Sequence, residues 1–329
     1  METSVEGLVS ELRSRCVQCR SCDDVCPSHR HGGCTPSLVM ASEDGNVKAC
    51  IGCGKCSGVC AHTDPKKVMM NLKAVALDLR PPQVYRECGY ITSVCDPVFS
   101  DGLPAPPEGD DVYVMPGCVA KRRVPFVVYA AFKALSYLGL GGRELPGNTC
   151  CTYPLVFRQE PQAPLLDAKN AMRDSAGGRD TITLCGGCTH EMAEAGIDFP
   201  HVAVYLSRHL EAIRRLPGAN LKVSVEPGCA VDCFREEFEA VVRACGCEIV
   251  NDTSGCCGKG IPGVNEGLMA EREAESAGAD AIVIGCPNCL TAYDTYEGGL
   301  PVLHIVELVC LAAGDRFTQR YHRIKLRGI

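Results

Sequence analysis

The stretch DVYVMPGC, Asp111–Cys118, returns as LKVSVEPGC, Leu221–Cys229. Each is a short run rich in β-branched and apolar residues that stops at Pro-Gly-Cys. Two further runs of that kind end in C-x-x-C: TITLCGGC, Thr181–Cys188, and AIVIGCPNC, Ala281–Cys289. Between them stand adjacent cysteines, in NTCCTYP (Asn148–Pro154) and SGCCGKG (Ser254–Gly260). The order strand, PGC, helix, CC, helix, strand, CxxC is therefore written twice. Short apolar strands alternating with helices predict a parallel or mixed α/β sheet in each half. The expected architecture is two such halves packed about a pseudo-twofold axis.

Upstream of the repeat, CDPVFSDGLPAPPEGDD (Cys95–Asp111) holds four prolines and five acidic residues. Such a stretch buries little and stays extended, so it reads as a linker. The expected division is a domain over 1–95, a linker over 96–110 and a duplicated domain over 111–329, with halves 111–220 and 221–329. The first domain is mainly helical in pattern. Val5, Leu8, Val9 and Leu12 recur at helical spacing, as do Val68, Met69, Leu72, Val75 and Leu79 after a helix start at Asp64-Pro65. Val124–Leu140 reads as a helix packed on a sheet.

The chain has 329 residues, enough for about two domains. A net charge of -7 argues against a nucleic-acid partner, which asks for a basic face. No apolar run reaches membrane-spanning length. The 25 cysteines are odd in number and clustered, unlike a disulfide framework, and METSVEGLVSELRSR lacks the apolar core of a signal peptide. The expectation is a cytoplasmic protein whose thiolates hold metal, peripheral at the inner membrane face only through a partner.

Cys16, Cys19, Cys22 and Cys26 form C-x2-C-x2-C-x3-C before Pro27, and Cys50, Cys53, Cys56 and Cys60 repeat the spacing before Ala61. This is the run of a two-cluster ferredoxin, in which the fourth cysteine of each run serves the other cluster. Cys16, Cys19, Cys22 and Cys60 are expected to hold one cubane [4Fe–4S] cluster, and Cys50, Cys53, Cys56 and Cys26 the second. Three thiolates on one loop cap three cube corners, and the fourth corner needs a ligand from elsewhere. Gly52, Gly54 and Gly58 are expected to let backbone N–H groups approach the sulfides. Zinc sites use separated C-x2-C pairs instead.

The repeat contributes five cysteines per half in one order. Cys118, Cys150, Cys151, Cys185 and Cys188 are spaced C-x31-CC-x33-C-x2-C, and Cys229, Cys256, Cys257, Cys286 and Cys289 are spaced C-x26-CC-x28-C-x2-C. This pattern resembles the duplicated cysteine-rich CCG domain of the heterodisulfide reductase B component, the catalytic one. The N-terminal domain resembles the ferredoxin-like C component, and the whole chain resembles the natural fusion of the two, the D component, in shortened form. VLHIVELVCLAAG (Val302–Gly314) is similar to that family's closing helix. The resemblance implies that each five-cysteine set is catalytic and holds one further [4Fe–4S] cluster, noncubane and more open than a cube. It also implies a disulfide such as that of coenzymes M and B, bound between the clusters and split to two thiols. The implied electron donor is a flavoprotein, a hydrogenase or formate dehydrogenase module, or a membrane cytochrome b.

The shorter gaps of the second half also resemble the iron–sulfur components of glycolate, lactate and glycerol-3-phosphate dehydrogenases and of thiol:fumarate reductase. There the same module relays electrons for a flavin dehydrogenase, and the second site could hold a cubane. Cys257-Gly-Lys-Gly lacks the G-x-x-x-x-G-K-[ST] spacing of a phosphate loop, and no flavin or nicotinamide site is read in the chain, so electrons are expected from a partner. Lys121, Arg122 and Arg123 could grip an anionic thiol or open a solvated helix. His190 could give a proton to a leaving thiolate or lie on the surface. Cys34, Cys88, Cys95, Cys233, Cys245, Cys247 and Cys310 are left as small buried hydrophobes. The tail Gln319–Ile329 could dock a partner or fray.

Overall fold

A computed structural model describes residues 4–92, 100–153, 155, 162–230, 232–253 and 255–326. Cys95 and the first part of the linker, 96–99, lie outside the described residues, as does the end of the tail. The chain forms two compact units. One takes residues 1–81, 154–162 and 255–271, and the other takes 82–153, 163–254 and 272–329.

The first unit is built from α1 (Val5–Ser14), four short helices α2 (Ser21–Asp24), α3 (Pro27–Arg30), α4 (Pro36–Met40) and α5 (Lys55–Gly58), and α6 (Pro65–Ala76). Each long helix starts on a side-chain cap: Ser4 accepts from Gly7 N at 3.1 Å, and Asp64 accepts from Lys67 N at 3.0 Å. Val9, Val39, Met40, Val68 and Met69 close the core around Cys34. The sequence carries α6 on to Leu79, but the helix stops at Ala76. Asp78 takes a left-handed φ of 45° and two prolines follow, which no helix tolerates. Val75 consequently faces solvent and Ala74 takes the buried position. Segment 255–271 packs into this unit, where Arg30 and His31 reach Glu271 at 3.2 and 3.4 Å. A Cβ on Gly267 would fall 2.5 Å from the His31 ring, so the close approach there requires glycine.

The second unit opens with α7 (Gln83–Cys88) and then runs through the repeat. Its first half is β1 (Val112–Met115), α8 (Cys118–Arg123), α9 (Pro125–Tyr137), β2 (Gly142–Glu144), α10 (Gln162–Ala176), β3 (Thr181–Thr183), α11 (Gly186–Glu194), α12 (Val202–Ser207) and α13 (Leu210–Arg214). The second half is β4 (Lys222–Glu226), α14 (Arg235–Ala244), β5 (Glu248–Asp252), α15 (Val264–Glu275), β6 (Ala281–Ile284), α16 (Pro287–Tyr293), β7 (Val302–His304) and α17 (Ile305–Ala312). Of α15, residues 264–271 belong to the first unit.

Both sheets are wholly parallel, in the order β2-β1-β3 and β5-β4-β6-β7. A single parallel bridge from Thr183 to His201 stands where β7 stands in the second sheet. Parallel strands covered on both faces explain why β3 and β6 are buried throughout and why β6 is a continuous apolar run. The helices of the halves exchange partners: α9 packs on α17, and α12 packs on α14. Each of these contacts joins the helix after the first strand of one half to the closing helix of the other.

One boundary and the seating of the tail differ from the sequence reading. The units divide at 81/82 because residues 82–92 pack on the first half. Tyr90 donates to Asn148 O at 2.6 Å, Gly89 O accepts from Cys150 N at 2.9 Å, and Thr92 donates to Cys118 O at 3.1 Å. The tail is held rather than frayed through its described part. Tyr321 stacks on Phe126 at 5.6 Å, and His322 lies buried 3.0 Å from Glu307.

Candidate iron–sulfur sites

In the first unit Cys16, Cys19, Cys22 and Cys60 line one cavity together with Ser37 and His62. Burial pushes the Cys22 thiol up to about 12, and Asp23, Cys16 and Cys19 add to it. Cys26 stands apart from its own run, close enough to Cys50 to feel its charge, and Cys56 feels Cys50, Cys53 and Cys26. The loops turn at matching places. Gln18 and Arg20 have φ of 56° and 65°, and Gly52 and Gly54 have 71° and 82°. Gly58 sits in α5 and has no such requirement.

The sequence reading missed Cys34. At Cys50 the hydrogen bond from the Cys34 thiol lowers the thiol pKa; burial opposes it, and Gly52 N–H, Lys73 and Lys66 lower it further. The only sequence signal is a spare cysteine eight residues after Cys26.

In the second unit seven thiols stand in series, each near enough to its neighbour to shift its pKa. Cys118 meets Cys150, Cys150 meets Cys151, Cys151 meets Cys188, and Cys188 meets Cys185. Cys185 then meets Cys286, which meets Cys289. The C-x-x-C of one half therefore touches that of the other. Cys229 lies in this unit too, whereas Cys256 and Cys257 are buried in the first unit, on segment 255–271.

Each Pro-Gly-Cys turn serves its own half. Gly117 has φ of 77°, and a Cβ there would meet Cys188 Sγ at 2.8 Å; Gly228 has φ of 102° and faces Cys286 and Cys289 at 3.4 and 3.7 Å. The adjacent cysteines share a geometry as well. Thr152 N–H donates to Cys150 Sγ at 3.3 Å, and Gly258 N–H donates to Cys256 Sγ at 3.5 Å. Thr152 and Gly258 have φ of 69° and 67°.

Two histidines brace the junction, and the sequence reading overlooked both. His201 Nε2 bonds Gly285 O at 2.8 Å, and His304 Nε2 bonds Leu184 O at 3.1 Å. Each histidine also caps the helix that follows it, and each grips the residue before the other half's C-x-x-C. Burial, then the neighbouring His304, pushes His201 down to about 3, and burial lowers His304 likewise, so both are neutral at pH 7. The signal was present in PHVAVYL and LHIVELV, each placed after a C-x-x-C. A buried Lys169–Glu191 ion pair flanks the first set, with Glu191 raised by burial and lowered by Lys169.

Other sequence candidates go elsewhere. Lys121 pairs with Glu144, and the Arg122 guanidinium lies 4.4 Å from the Tyr90 ring centre. His190 is exposed, 6.3 Å from the Tyr153 ring. Cys245, Cys247 and Cys310 are buried as expected, but Cys233 is exposed. Cys88 packs with Tyr90 against Cys118 and Cys150, which places it at the first site.

The donor set fits iron–sulfur clusters. Sulfur dominates every group, backbone N–H groups already point at Sγ atoms, and the buried Thr152 hydroxyl has no partner among the described residues. Among the described residues no three His, Cys, Asp or Glu converge on a single metal ion. A four-iron cluster spreads its thiolates over separate irons and asks for no such convergence.

Comparison with known proteins agrees. The sequence profile of the 4Fe-4S dicluster domain matches residues 8–61, and that of the Cysteine-rich domain matches residues 223–294. The second match spans the half with the shorter spacing. The chain is thus an iron–sulfur protein of oxidoreductase type, a dicluster domain followed by an α/β cysteine-rich domain. More particularly, it is similar to the B component of the ferredoxin/F(420)H(2)-dependent CoB-CoM heterodisulfide reductase of Methanosarcina acetivorans, 27% identical over 263 residues. The B component of the ferredoxin:CoB-CoM heterodisulfide reductase of Methanosarcina mazei is 26% identical over 263 residues. Each alignment covers 60% of this chain and 87% of the relative. A crystal structure of a hypothetical protein from Helicobacter pylori superposes with a TM-score of 0.49 at 13% identity, covering 81% of this chain and 62% of that one. No helix among the described residues is long and apolar enough to cross a membrane.

Proposed function

We propose that the chain reduces a mixed disulfide of two small thiols: RSSR′ + 2e⁻ + 2H⁺ → RSH + R′SH. The observation that carries this reading is the series of neighbouring thiols in the second unit, where Cys185 of one half lies near enough to Cys286 of the other to shift its pKa. Cleaving a disulfide takes two electrons at one place, and a ferredoxin-type centre delivers them singly. Clusters bound at these cysteines would supply the one-electron steps and a sulfur-binding metal face.

In this reading Cys16, Cys19, Cys22 and Cys60 hold one cubane cluster, and Cys26, Cys50, Cys53 and Cys56 hold another. Cys118, Cys150, Cys151, Cys185 and Cys188 form a third site, and Cys229, Cys256, Cys257, Cys286 and Cys289 a fourth, both noncubane. The reciprocal contacts of α9 with α17 and α12 with α14, and of the two histidines, support a pseudo-twofold relation of the halves. The arrangement is that of the heterodisulfide reductase D component, a B-type catalytic module fused behind a C-type ferredoxin module. The relatives' names make the CoM–CoB disulfide the first substrate to try. The donor would be a flavoprotein, a hydrogenase or formate dehydrogenase module, or a membrane cytochrome b, met by a cytoplasmic protein. The gaps of 26 and 28 in the second half favour one other reading, relay of electrons for a flavin dehydrogenase.

Iron and acid-labile sulfide per chain, with EPR during titration by coenzyme thiols, separate these readings in oxygen-free protein. About sixteen irons and a thiol-dependent signal are expected. About twelve with no thiol response would favour the relay, and about eight would leave only the dicluster domain filled. Cys150→Ser is expected to abolish disulfide reduction, and unchanged turnover would sink the catalytic role of the first set.

A further inference from the structure

Thr152 occupies a position that the repeat assigns to glycine. Its counterpart after the second adjacent pair is Gly258, and both residues hold nearly the same left-handed φ, 69° and 67°. At both, the backbone N–H donates to the first cysteine of the pair. Glycine adopts that φ freely, whereas a β-branched residue adopts it only under strain. The threonine side chain is fully buried, 0% exposed. Among the described residues its hydroxyl has no hydrogen-bond partner, although buried hydroxyls are almost always paired. Two unfavourable features thus coincide on one side chain two residues from Cys150, and a partner at the site would relieve the second.

We propose that the Thr152 hydroxyl donates a hydrogen bond to a sulfur of the centre held by Cys118, Cys150, Cys151, Cys185 and Cys188, making it the more easily reduced of the two paired-cysteine centres. The inference rests on the cluster reading of that set. A hydrogen bond to sulfur stabilises the extra negative charge of the reduced centre and so raises its potential. Gly258 offers no such donor, so the asymmetry between CCT and CCG becomes an asymmetry of potential. Thr152 is a positioning and tuning residue, and electrons arriving from the dicluster domain would settle preferentially on the first site.

The test compares Thr152→Val, Thr152→Ser and Thr152→Gly in the full chain, purified without oxygen. The first-site EPR signal is identified as the one lost in Cys150→Ser. Thr152→Val keeps the branched shape and the Cys150 N–H contact but removes the hydroxyl. It is expected to retain wild-type iron and to shift the reduction equilibrium of that signal about tenfold toward the oxidised form, about 59 mV for one electron. Thr152→Gly should shift it likewise while raising the thermal midpoint of the protein, since the strain is relieved. Thr152→Ser should keep the wild-type potential. Pulsed EPR in deuterated buffer should show one exchangeable proton lost in Thr152→Val and kept in Thr152→Ser. A loaded first site whose potential and proton coupling are unchanged in Thr152→Val would overturn the inference and leave the cluster reading intact. Wild-type protein without iron at that site would overturn both.

Discussion

His322 shows what a single buried side chain can contribute when its partners are fixed. It lies on the basic tail that the sequence leaves either to dock a partner or to fray, yet it is buried between Glu307 and Asp294, at 3.0 and 3.4 Å. Burial disfavours its charge, but Glu307 and Asp294 outweigh that and raise its pKa to about 10. A histidine raised in the fold lends stability that is fully present below its unfolded pKa near 6.5. That stability is lost as pH rises toward 10. The expected loss is roughly 1.4 kcal/mol per pH unit across that window. Thermal melts of wild-type and His322→Gln at pH 6.5 and 9.5 check this: the gap between them should narrow with pH. A constant gap would show that His322 is not charged in the fold. His201 has the opposite character, buried and neutral, because its partners are a carbonyl and an N–H rather than carboxylates.

At the scale of the element, the strand-to-helix turn is where sequence and site meet. The turn at Pro116-Gly117-Cys118 must bend at positive φ and let backbone come within reach of Cys188. A methyl group on Gly117 would sit 2.8 Å from Cys188 Sγ, and φ of 77° adds strain of about 1–3 kcal/mol. The turn at Gly228 has the same bend but contacts no closer than 3.4 Å. Gly117→Ala is therefore expected to lose about four irons along with stability. Gly228→Ala should keep its irons and lose only stability, about 1–3 kcal/mol. Iron assays and melting curves on the two variants decide it, and equal iron contents would show that close approach to Cys188 is not what shapes the first site. Helix α9 adds a second constraint, since Phe126 is fully buried there against Tyr321 and His322.

For the molecule as a whole, the ferredoxin-type runs make the sharpest statement. Cys60 lines the cavity of Cys16, Cys19 and Cys22, and Cys26 groups with Cys50, Cys53 and Cys56. If the runs cross in this way, Cys60→Ser and Cys16→Ser should remove the same EPR signal, and Cys26→Ser and Cys50→Ser should remove the other. Cys60→Ser removing the signal of Cys50→Ser would mean uncrossed runs. The same scale redraws the units. The loop after β5 carries Cys256 and Cys257 into the unit of the ferredoxin-type cysteines, whereas α7 and Tyr90 belong with the first paired-cysteine half.

What the sequence alone determined was everything that repeats at fixed spacing. The alternation of strands with helices, the repeated Pro-Gly-Cys turns, the two C-x2-C-x2-C-x3-C runs with their matching positive-φ turns, and the helix start at Asp64 are local patterns, and local geometry obeys them. The seat of the tail, the bracing by His201 and His304, and the gathering of Cys34 and Cys88 onto clustered thiols were decided only by tertiary structure. Each depends on a partner far along the chain: His201 on Gly285, His304 on Leu184, His322 on Asp294, Tyr90 on Asn148. Spacing fixes which residues a turn brings together. Only packing fixes which distant carbonyl, carboxylate or thiol lies within hydrogen-bonding reach of a buried side chain.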